Sequence, residues 1–367
     1  MWQKLKEEKK PVVLYGTGDA AEKIIKELDA RGIRVSGIFA SDGFVRDRSF
    51  AGHKVRSYSQ CCEEYGKMCV ILCFGSHRPD VMENIVKISR EQDLYAPDLP
   101  VAGDGLFDRV YYDSNRALFE KVRSLLADEE SRSVFDKVIE YKLTGMIDPL
   151  LECSTPESDN WDLLFTGRIN EDLQKRIEGA GSKDLTFLDL GAYTGDTAEL
   201  FLRKCGGKAN IIAVEPEKRN FRKLSENLQS RTNTELVHAC IGECDGEALF
   251  EKGTGRGGSK VMQTSGAFAH PAGRYLSVPQ RRIDSIMSGR RADIIKMDIE
   301  GAEAAAIKGG EATIKAYAPN MLVAAYHRTE DLFAIPLQVL SIVPEYSVYL
   351  RKDPCIPAWG VNYFFTR

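Results

Sequence analysis

The stretch that decides the fold is Phe187-Leu-Asp-Leu-Gly-Ala-Tyr-Thr-Gly-Asp196, followed by Ile211-Ile-Ala-Val-Glu-Pro216. It predicts an apolar strand, a glycine turn, a helix over about Thr197 to Lys204, and a second apolar strand that ends on a carboxylate. Gly191 and Gly195 carry no Cβ, so the backbone of the turn can approach a ligand closely. The N-terminus of the following helix faces the same ligand. This order of elements predicts a cofactor pocket.

The charges beside the glycine turn indicate what kind of cofactor fits. Asp189 and Asp196 would repel the phosphates of a dinucleotide, and the usual GxGxxG spacing is missing. Glu215 follows Gly195 by twenty residues, where a carboxylate at a strand end can accept hydrogen bonds from two ribose hydroxyls. S-adenosylmethionine has a ribose together with a cationic amine and sulfonium. The residues therefore favour S-adenosylmethionine as the cofactor.

Later segments extend the pattern of apolar strands that end on polar side chains. Arg291-Ala-Asp-Ile-Ile-Lys-Met-Asp298 ends on a carboxylate, and Pro319-Asn-Met-Leu-Val-Ala-Ala-Tyr-His327 ends on a histidine. The motifs DLGAYTGD, AVEPEKRNFRKLSENL, RRIDSI, IIKMDIEGAE and AAYHRTEDLFAIPLQVL running into YSVYLRK follow one another in this order. With them, about residues 184–367 resemble the FkbM family of class I, S-adenosylmethionine-dependent methyltransferases.

The resemblance implies an α/β fold for residues 183–367, with a Rossmann-like sheet of seven strands whose last hairpin is antiparallel. It also implies the cofactor contacts. The turn backbone would contact the methionine part, Asp189 would face the amine, Glu215 would hold the ribose, and backbone groups after the next strand would lie at the adenine edge. The cofactor-binding residues expected on this basis are Asp189, Gly191, Ala192, Gly195, Glu215, Cys240 and Ile241.

The reaction requires a group that removes a proton, because a hydroxyl acceptor has a pKa far above neutrality. Asp298 and His327 stand at strand ends, where this kind of fold places its ligands. We expect His327 to be the general base and Asp298 to orient the substrate or hold the cofactor's amine. With Glu300 and Glu303 they could also hold a divalent cation, magnesium, manganese or zinc. The helix start at Glu303 disfavours the required orientation, so a divalent metal is the less favoured alternative and stays open.

The acceptor is expected to be an oxygen atom. Amine and adenine N-methyltransferases of this fold often have an Asn/Asp-Pro-Pro-aromatic turn after the fourth strand, whereas this chain has Asp298-Ile-Glu-Gly301. The resemblance implies O-methylation of a sugar or a polyketide-type hydroxyl. We expect a sugar, glycan or sugar-nucleotide hydroxyl, on a small-molecule or glycan substrate.

The first half predicts a second, smaller Rossmann-like α/β module over residues 1–105. Pro11-Val-Val-Leu-Tyr-Gly-Thr-Gly-Asp-Ala-Ala21 has a GxGxxA spacing between a strand and a helix. Gly16 and Gly18 are compatible with nucleotide or sugar-nucleotide binding, and equally with tight packing of strand against helix. Two alternative functions therefore remain open, a nucleotide-dependent oxidoreductase and a non-catalytic nucleotide- or sugar-binding protein.

Residues 106–182 are expected to form a helical connector or cap. Helical periodicity covers Tyr111 to Leu126 and Glu130 to Lys142, and a further helix is expected over Leu173 to Glu178. Further along the chain, Glu247–Lys252 predicts a strand that enters a glycine-rich hairpin or flap, with residues 253–273 near the substrate entrance. Asp284 is expected to cap the helix that begins beside it.

Composition limits the class of protein. The chain has 367 residues, a net charge of -4 and nine cysteines without zinc-site spacing. It has no basic surplus for nucleic acid and no apolar run long enough for a membrane helix. We therefore expect a cytoplasmic enzyme with reduced thiols and no nucleic-acid or membrane partner. The acceptor's identity and any homo-oligomeric state stay open.

Overall fold

Two sheets built mainly of parallel strands organise the chain, one in each half, and a four-stranded sheet lies beside the second. The computed structural model describes residues 1–42, 45, 48–103, 105–166, 185–251, 260–262 and 275–367. The alternation of apolar strands and amphipathic helices produces this arrangement, since helices cover both faces of a parallel sheet. The predicted α/β class is confirmed.

The first sheet has six strands in the order β3-β4-β2-β1-β5-β6, and β3 alone is antiparallel to its neighbour. The strand order reverses between β1 and β5, and the turn with Gly16 and Gly18 follows β1 there. The elements of this part are β1 Val12–Tyr15, β2 Val35–Ala40, β3 Ser49–Phe50, β4 His53–Ser57, β5 Cys69–Leu72, β6 Asp93–Tyr95, α1 Trp2–Lys6, α2 Asp19–Ala30, α3 Tyr58–Tyr65 and α4 Pro79–Glu91.

The connector is helical, as expected, with one difference. Tyr111 to Leu126 was expected to be one helix, but the structure has two helices that meet at Asn115. The Asn115 side chain donates to the carbonyl oxygen of Tyr111 at 2.9 Å and so satisfies a helix-terminal acceptor locally. The expected helix at residues 173–178 lies outside the described residues. The connector helices are α5 Arg109–Ser114, α6 Arg116–Leu125, α7 Glu129–Thr144, α8 Asp148–Glu152 and α9 Glu157–Thr166.

The second sheet has seven strands in the order β16-β17-β15-β14-β7-β8-β9, and β17 is antiparallel to both of its neighbours. The expected sheet with a final antiparallel hairpin is therefore confirmed. Its elements are β7 Thr186–Leu190, β8 Asn210–Val214, β9 Thr234–Val237, β14 Ile294–Met297, β15 Asn320–Ala324, β16 Ser347–Lys352, β17 Val361–Thr366, α10 Asp196–Lys204, α11 Lys218–Leu228, α12 Ile283–Met287, α13 Glu303–Gly309, α14 Glu311–Tyr317 and α15 Asp331–Ile342.

The third sheet follows the order β10-β13-β11-β12, with β10 Cys240–Ile241, β11 Gly246–Glu251, β12 Lys260–Met262 and β13 Tyr275–Arg281. Strands β11 and β12 pair antiparallel, so the expected hairpin is confirmed. Its glycine-rich loop, residues 253–258, lies outside the described residues, as do most of residues 253–273.

Helix α7 covers the edge of the second sheet. The backbone N–H of Leu350 in β16 donates to the Ser131 hydroxyl at 3.0 Å, and Ala127 N–H donates to the Val348 carbonyl at 2.8 Å. Arg351 and Asp128 form an ion pair at 2.7 Å beside these bonds. An open sheet edge has unpaired donors and acceptors, so the connector stabilises the sheet by filling them.

The two halves pack directly against each other. Ser76, just after β5, and Ile356, in the loop between β16 and β17, exchange two backbone hydrogen bonds of 2.8 and 3.1 Å. The Trp359 ring of the same loop lies over Gly75, where a Cβ would overlap the ring. The glycine at this position is therefore required by the close approach of the second half.

Asp284 does not cap its own helix, contrary to the expectation. Helix α12 has Arg282 at its N-cap, and the Asp284 carboxylate instead accepts from the N–H and hydroxyl of Thr313, at 2.8 and 2.7 Å. It therefore stabilises the first turn of α14, which tertiary packing brings beside α12.

All nine cysteines are described and unpaired. Among the described residues, no helix combines the length and the apolar character needed to span a membrane.

The contact between Gly75 and Trp359 can be tested by substitution. We expect Gly75→Ala to destabilise the protein by about 1–3 kcal/mol, because the added methyl group forces the ring to move. Gly246→Ala is the matched control, since a Cβ there meets no atom within 4 Å. Thermal unfolding of both variants measures the difference. Equal unfolding midpoints for the two variants would contradict the close contact between the Trp359 ring and Gly75.

Candidate functional site

Neighbouring strands of the second sheet end at one edge and bring the expected site residues together. The glycine turn follows β7, Glu215 follows β8, Asp298 follows β14 and His327 comes shortly after β15. Since β8, β7, β14 and β15 are adjacent and parallel, their carboxyl ends share one edge of the sheet.

The glycine turn fits closely between its neighbours. Gly191 has φ of +78°, and a Cβ there would overlap the carbonyl oxygen of Asp298. The backbone N–H groups of Gly191 and Ala192 both donate to the Val214 carbonyl oxygen at 3.0 Å. Gly195, with φ of +91°, is the N-cap of α10. The turn is thus fixed on one side by β8 and on the other by the residue after β14.

Glu215 is almost buried, at 6% exposure, and its carboxylate joins two loops. One oxygen accepts from Tyr193 N–H at 3.0 Å and the other from Glu217 N–H at 2.9 Å. Burial raises the pKa of Glu215 to about 7, although these hydrogen bonds favour the charged form. Burial raises the pKa of the Cys240 thiol to about 12, and the charge of Glu215 adds to this rise. Ile241 is the neighbouring residue in β10.

Asp189 is fully buried and faces a lysine that the sequence reasoning missed. Lys296 lies opposite Asp189 in the β7–β14 pairing, and its Nζ is 3.3 Å from Asp189 Oδ1. The same ammonium donates to the Gly191 carbonyl oxygen at 2.8 Å. Burial raises the pKa of Asp189, while the charge of Lys296 opposes that rise. The sequence did contain a signal for this ion pair. A lysine within the four-residue buried strand β14 needs a partner of opposite charge, because an unpaired buried charge is costly.

The second part of the site is a histidine surrounded by carboxylates. His327 Nδ1 is 2.9 Å from Glu303 Oε1, and Nε2 is 3.4 Å from Asp298 Oδ1 and 3.8 Å from Glu300 Oε2. The side chains of His327 and Glu303 are each only 1% exposed, whereas those of Asp298 and Glu300 are 39% and 36% exposed. His327 and these three carboxylates, called the histidine cluster below, therefore have a buried side and a side open to a ligand.

The surrounding carboxylates determine the charge of His327. Burial lowers its pKa, but Glu303, Asp298 and Glu300 outweigh burial and raise it to about 10. The imidazole consequently has both protons at neutral pH in this arrangement and acts as a donor. The general-base role stays a prediction, and it requires His327 to lose one of these protons first.

Residues on either side of His327, which the sequence reasoning missed, fix the turn after β14. The Tyr326 hydroxyl donates to Asp298 Oδ1 at 3.0 Å, and Arg328 Nε donates to the Gly301 carbonyl oxygen at 2.6 Å. Asp331 accepts from the Arg328 N–H at 2.7 Å. Adjacency to His327 in the sequence was the only signal for these residues.

The two glycines of the turn after β1, Gly16 and Gly18, are required for different reasons. A Cβ on Gly16 would overlap the Phe74 ring, so this glycine is needed for packing. Gly18 has φ of +113°, and a Cβ there would meet no atom within 4 Å. Packing against Phe74 thus explains the glycine at position 16, and the positive φ explains the glycine at position 18.

The approach of Gly191 to Asp298 gives a prediction about the site's construction. Gly191→Ala should cost clearly more stability than Gly207→Ala, because both pay roughly 1–2 kcal/mol for a left-handed alanine but only the first has a steric overlap. Thermal unfolding measures both. Equal losses would show that β7 and β14 do not end in contact.

The raised pKa of Glu215 gives a pH-dependent prediction. The folded state holds the Glu215 proton more tightly than the unfolded state, so its contribution is complete below the ordinary pKa and lost as pH rises through about 7. From about pH 5 to about pH 8, the wild type should lose up to about 3 kcal/mol relative to Glu215→Gln. Parallel thermal scans without cofactor measure this, with exposed Glu226→Gln as the control. Parallel pH curves for wild type and Glu215→Gln would refute it.

Comparison with known proteins agrees with this geometry. Residues 189–347 match the family model described as the methyltransferase FkbM domain. The 2-O-methyltransferase NoeI of Sinorhizobium fredii (strain NBRC 101917 / NGR234) is 26% identical over 182 residues, which are 45% of this chain and 73% of that protein. The crystal structure of methyltransferase FkbM from Methylobacillus flagellatus KT has a TM-score of 0.68 and 19% identity, over 97% of this chain and 90% of that one.

The structural likeness shows a common fold that extends through both halves of the chain. The family match begins at Asp189 and includes the glycine turn, Glu215, Asp298 and His327. The similarity to the methyltransferase FkbM domain therefore covers residues 189–347, the part of the chain that contains the site.

Proposed function

We propose that the chain is an S-adenosylmethionine-dependent O-methyltransferase whose acceptor is a hydroxyl of a sugar or glycan. The observation that carries the proposal is the contact between the glycine turn and the residue after β14. Asp298 N–H donates to the Leu190 carbonyl at 3.1 Å, and the Asp298 carbonyl lies against Gly191. A cofactor on the turn and an acceptor at Asp298 would therefore be neighbours, as direct transfer between them requires.

The cofactor would lie along the carboxyl ends of β7 and β8. Glu215 keeps acceptor capacity on both oxygens for the ribose hydroxyls, because each carboxylate oxygen can accept more than one hydrogen bond. Backbone groups of Gly191, Ala192 and Gly195 would contact the methionine part, with Asp189 on the amine side. Backbone groups of Cys240 and Ile241, in β10, would form the adenine edge. Lys296 would hold the Gly191 carbonyl and Asp189 in place.

The acceptor would approach the open side of the histidine cluster. The Asp298 carboxylate is exposed enough to accept a hydrogen bond from a hydroxyl. On its buried side, His327 Nε2 lies 3.4 Å from Asp298 Oδ1. In its neutral form His327 would take the hydroxyl proton, with Asp298 orienting the acceptor. The sulfonium methyl group would then move in line to the oxygen, leaving the thioether.

An oxygen acceptor has two supports. The curated relative is a 2-O-methyltransferase by name, and the turn after β14 lacks the proline-rich, aromatic sequence of many N-methyltransferases of this fold. Exposed carboxylates at Asp298 and Glu300 suit a polyhydroxyl ligand, because they accept hydrogen bonds from adjacent hydroxyls. These features favour a sugar over an apolar phenol-like acceptor.

The decisive experiment is calorimetric titration of S-adenosylhomocysteine. The wild type should bind it at micromolar concentration, and Glu215→Ala should weaken binding by roughly tenfold or more, about 1.4 kcal/mol, because the ribose loses its acceptor. Glu226→Ala on α11 removes an equal charge from the surface and should leave binding unchanged.

No binding by the folded wild type would sink the cofactor assignment, and unchanged binding by Glu215→Ala would place the ribose elsewhere. A protein that binds is then assayed for transfer of labelled methyl groups to a panel of free and nucleotide-linked sugars. Base-stable product identifies an ether, and transfer confined to amines would contradict the oxygen acceptor.

A further inference from the structure

The histidine cluster has the geometry of a metal site. Asp298, Glu303 and His327 each offer one ligand atom, and these atoms lie within 4.8 Å of one another. A cation at about 2 Å from each of them fits that spacing. A set of one imidazole and several carboxylate oxygens suits manganese or zinc better than calcium, because calcium prefers oxygen ligands alone.

A second, independent observation concerns the buried side of the cluster. Glu303 Oε1 accepts from the Ile299 N–H and lies beside His327 Nδ1, both at 2.9 Å. Its other oxygen, Oε2, is buried and has no hydrogen-bond partner within the described parts of the chain. Leaving a buried acceptor without a partner destabilises the folded protein, and more so when the acceptor is charged. A bound cation is the kind of partner that would remove this cost.

The open side of the cluster provides room for further ligands. Glu300 Oε2 is 3.8 Å from His327 Nε2, and Glu300 has left-handed backbone with φ of +56°. That conformation is costly for a residue with a side chain, and here it turns the carboxylate toward the histidine. Asp298 and Glu300 are partly exposed, so a water molecule or a substrate oxygen can complete the coordination.

We propose that Asp298, Glu303 and His327 bind one divalent transition-metal cation, with Mn²⁺ as the best-fitting ion and Glu300 as an additional oxygen ligand. This adopts the metal alternative that the sequence left open and disfavoured because of the helix start at Glu303. Cation binding itself does not depend on the proposed methyl transfer. The catalytic use of the cation rests on the proposed function: the cation would lower the pKa of a coordinated acceptor hydroxyl, and His327 would then be its ligand instead of the base.

The test is Mn²⁺ binding to the full chain after removal of metals with a chelator. Electron paramagnetic resonance of free Mn²⁺ counts the bound ions, and we expect one site per chain. Glu303→Gln keeps the side chain's shape and one acceptor oxygen but removes its charge, and it should weaken binding at least roughly tenfold. Asp298→Asn, at the exposed side, should also weaken it and is less prone to misfold.

Glu330→Gln is the matched control, because it removes an equal charge three residues from His327 and lies outside the cluster. It should bind Mn²⁺ like the wild type. Absence of binding by the wild type, or equal weakening in the control, would overturn the proposal. Titration of S-adenosylhomocysteine into the same metal-free protein separates the two proposals, since either ligand can bind without the other.

Discussion

The site depends on a buried ion pair between the two central strands of the second sheet. Asp189 and Lys296 face each other in register across β7 and β14, with no solvent to screen them. Removing one partner of such a pair is expected to cost about 3–5 kcal/mol, because the other charge stays buried and uncompensated. Lys296 also holds the Gly191 carbonyl, so the pair joins sheet stability to the shape of the glycine turn. The charges of Asp189 and Asp298 keep the pKa of Lys296 raised despite its burial.

A second balance of charge operates at the edge of the sheet. Three carboxylates, Asp298, Glu300 and Glu303, lie around His327, and a fourth, Asp331, accepts from the backbone N–H of Arg328 beside them. Negative charge is in surplus, and it acts on every member of the cluster. Burial, and then the charge of Glu303, raises the pKa of Asp331 to about 7. The same surplus raises the pKa of His327 and is the condition under which a divalent cation would replace protons.

Sequence alone predicted what depends on a single element. Apolar strands that end on polar groups gave Glu215, Asp298 and His327 at the sheet edge, because carboxyl ends of adjacent parallel strands coincide. It could not predict what depends on packing between elements. Asp284 stabilises α14 rather than its own helix. A local feature was missed as well: two helices meet at Asn115, whose side chain bonds the Tyr111 carbonyl, and periodicity does not encode this hydrogen bond. Tyr326, Arg328 and Asp331 act through contacts fixed only once β15 and the turn after β14 are side by side.

The first half of the chain also contributes to the construction of the site. Ala102, in the segment that leaves the N-terminal module, donates its backbone N–H to the His327 carbonyl at 2.9 Å. A Cβ on Gly301, which has φ of +95°, would overlap the Cβ of Ala102. This segment therefore packs closely against the turn that contains Glu300. Thr329 extends the contact by donating to the Gly105 carbonyl at 3.1 Å. Separating the module from the second half would therefore require breaking hydrogen bonds at the histidine cluster itself. The module is part of the wall of the site, in addition to any ligand of its own.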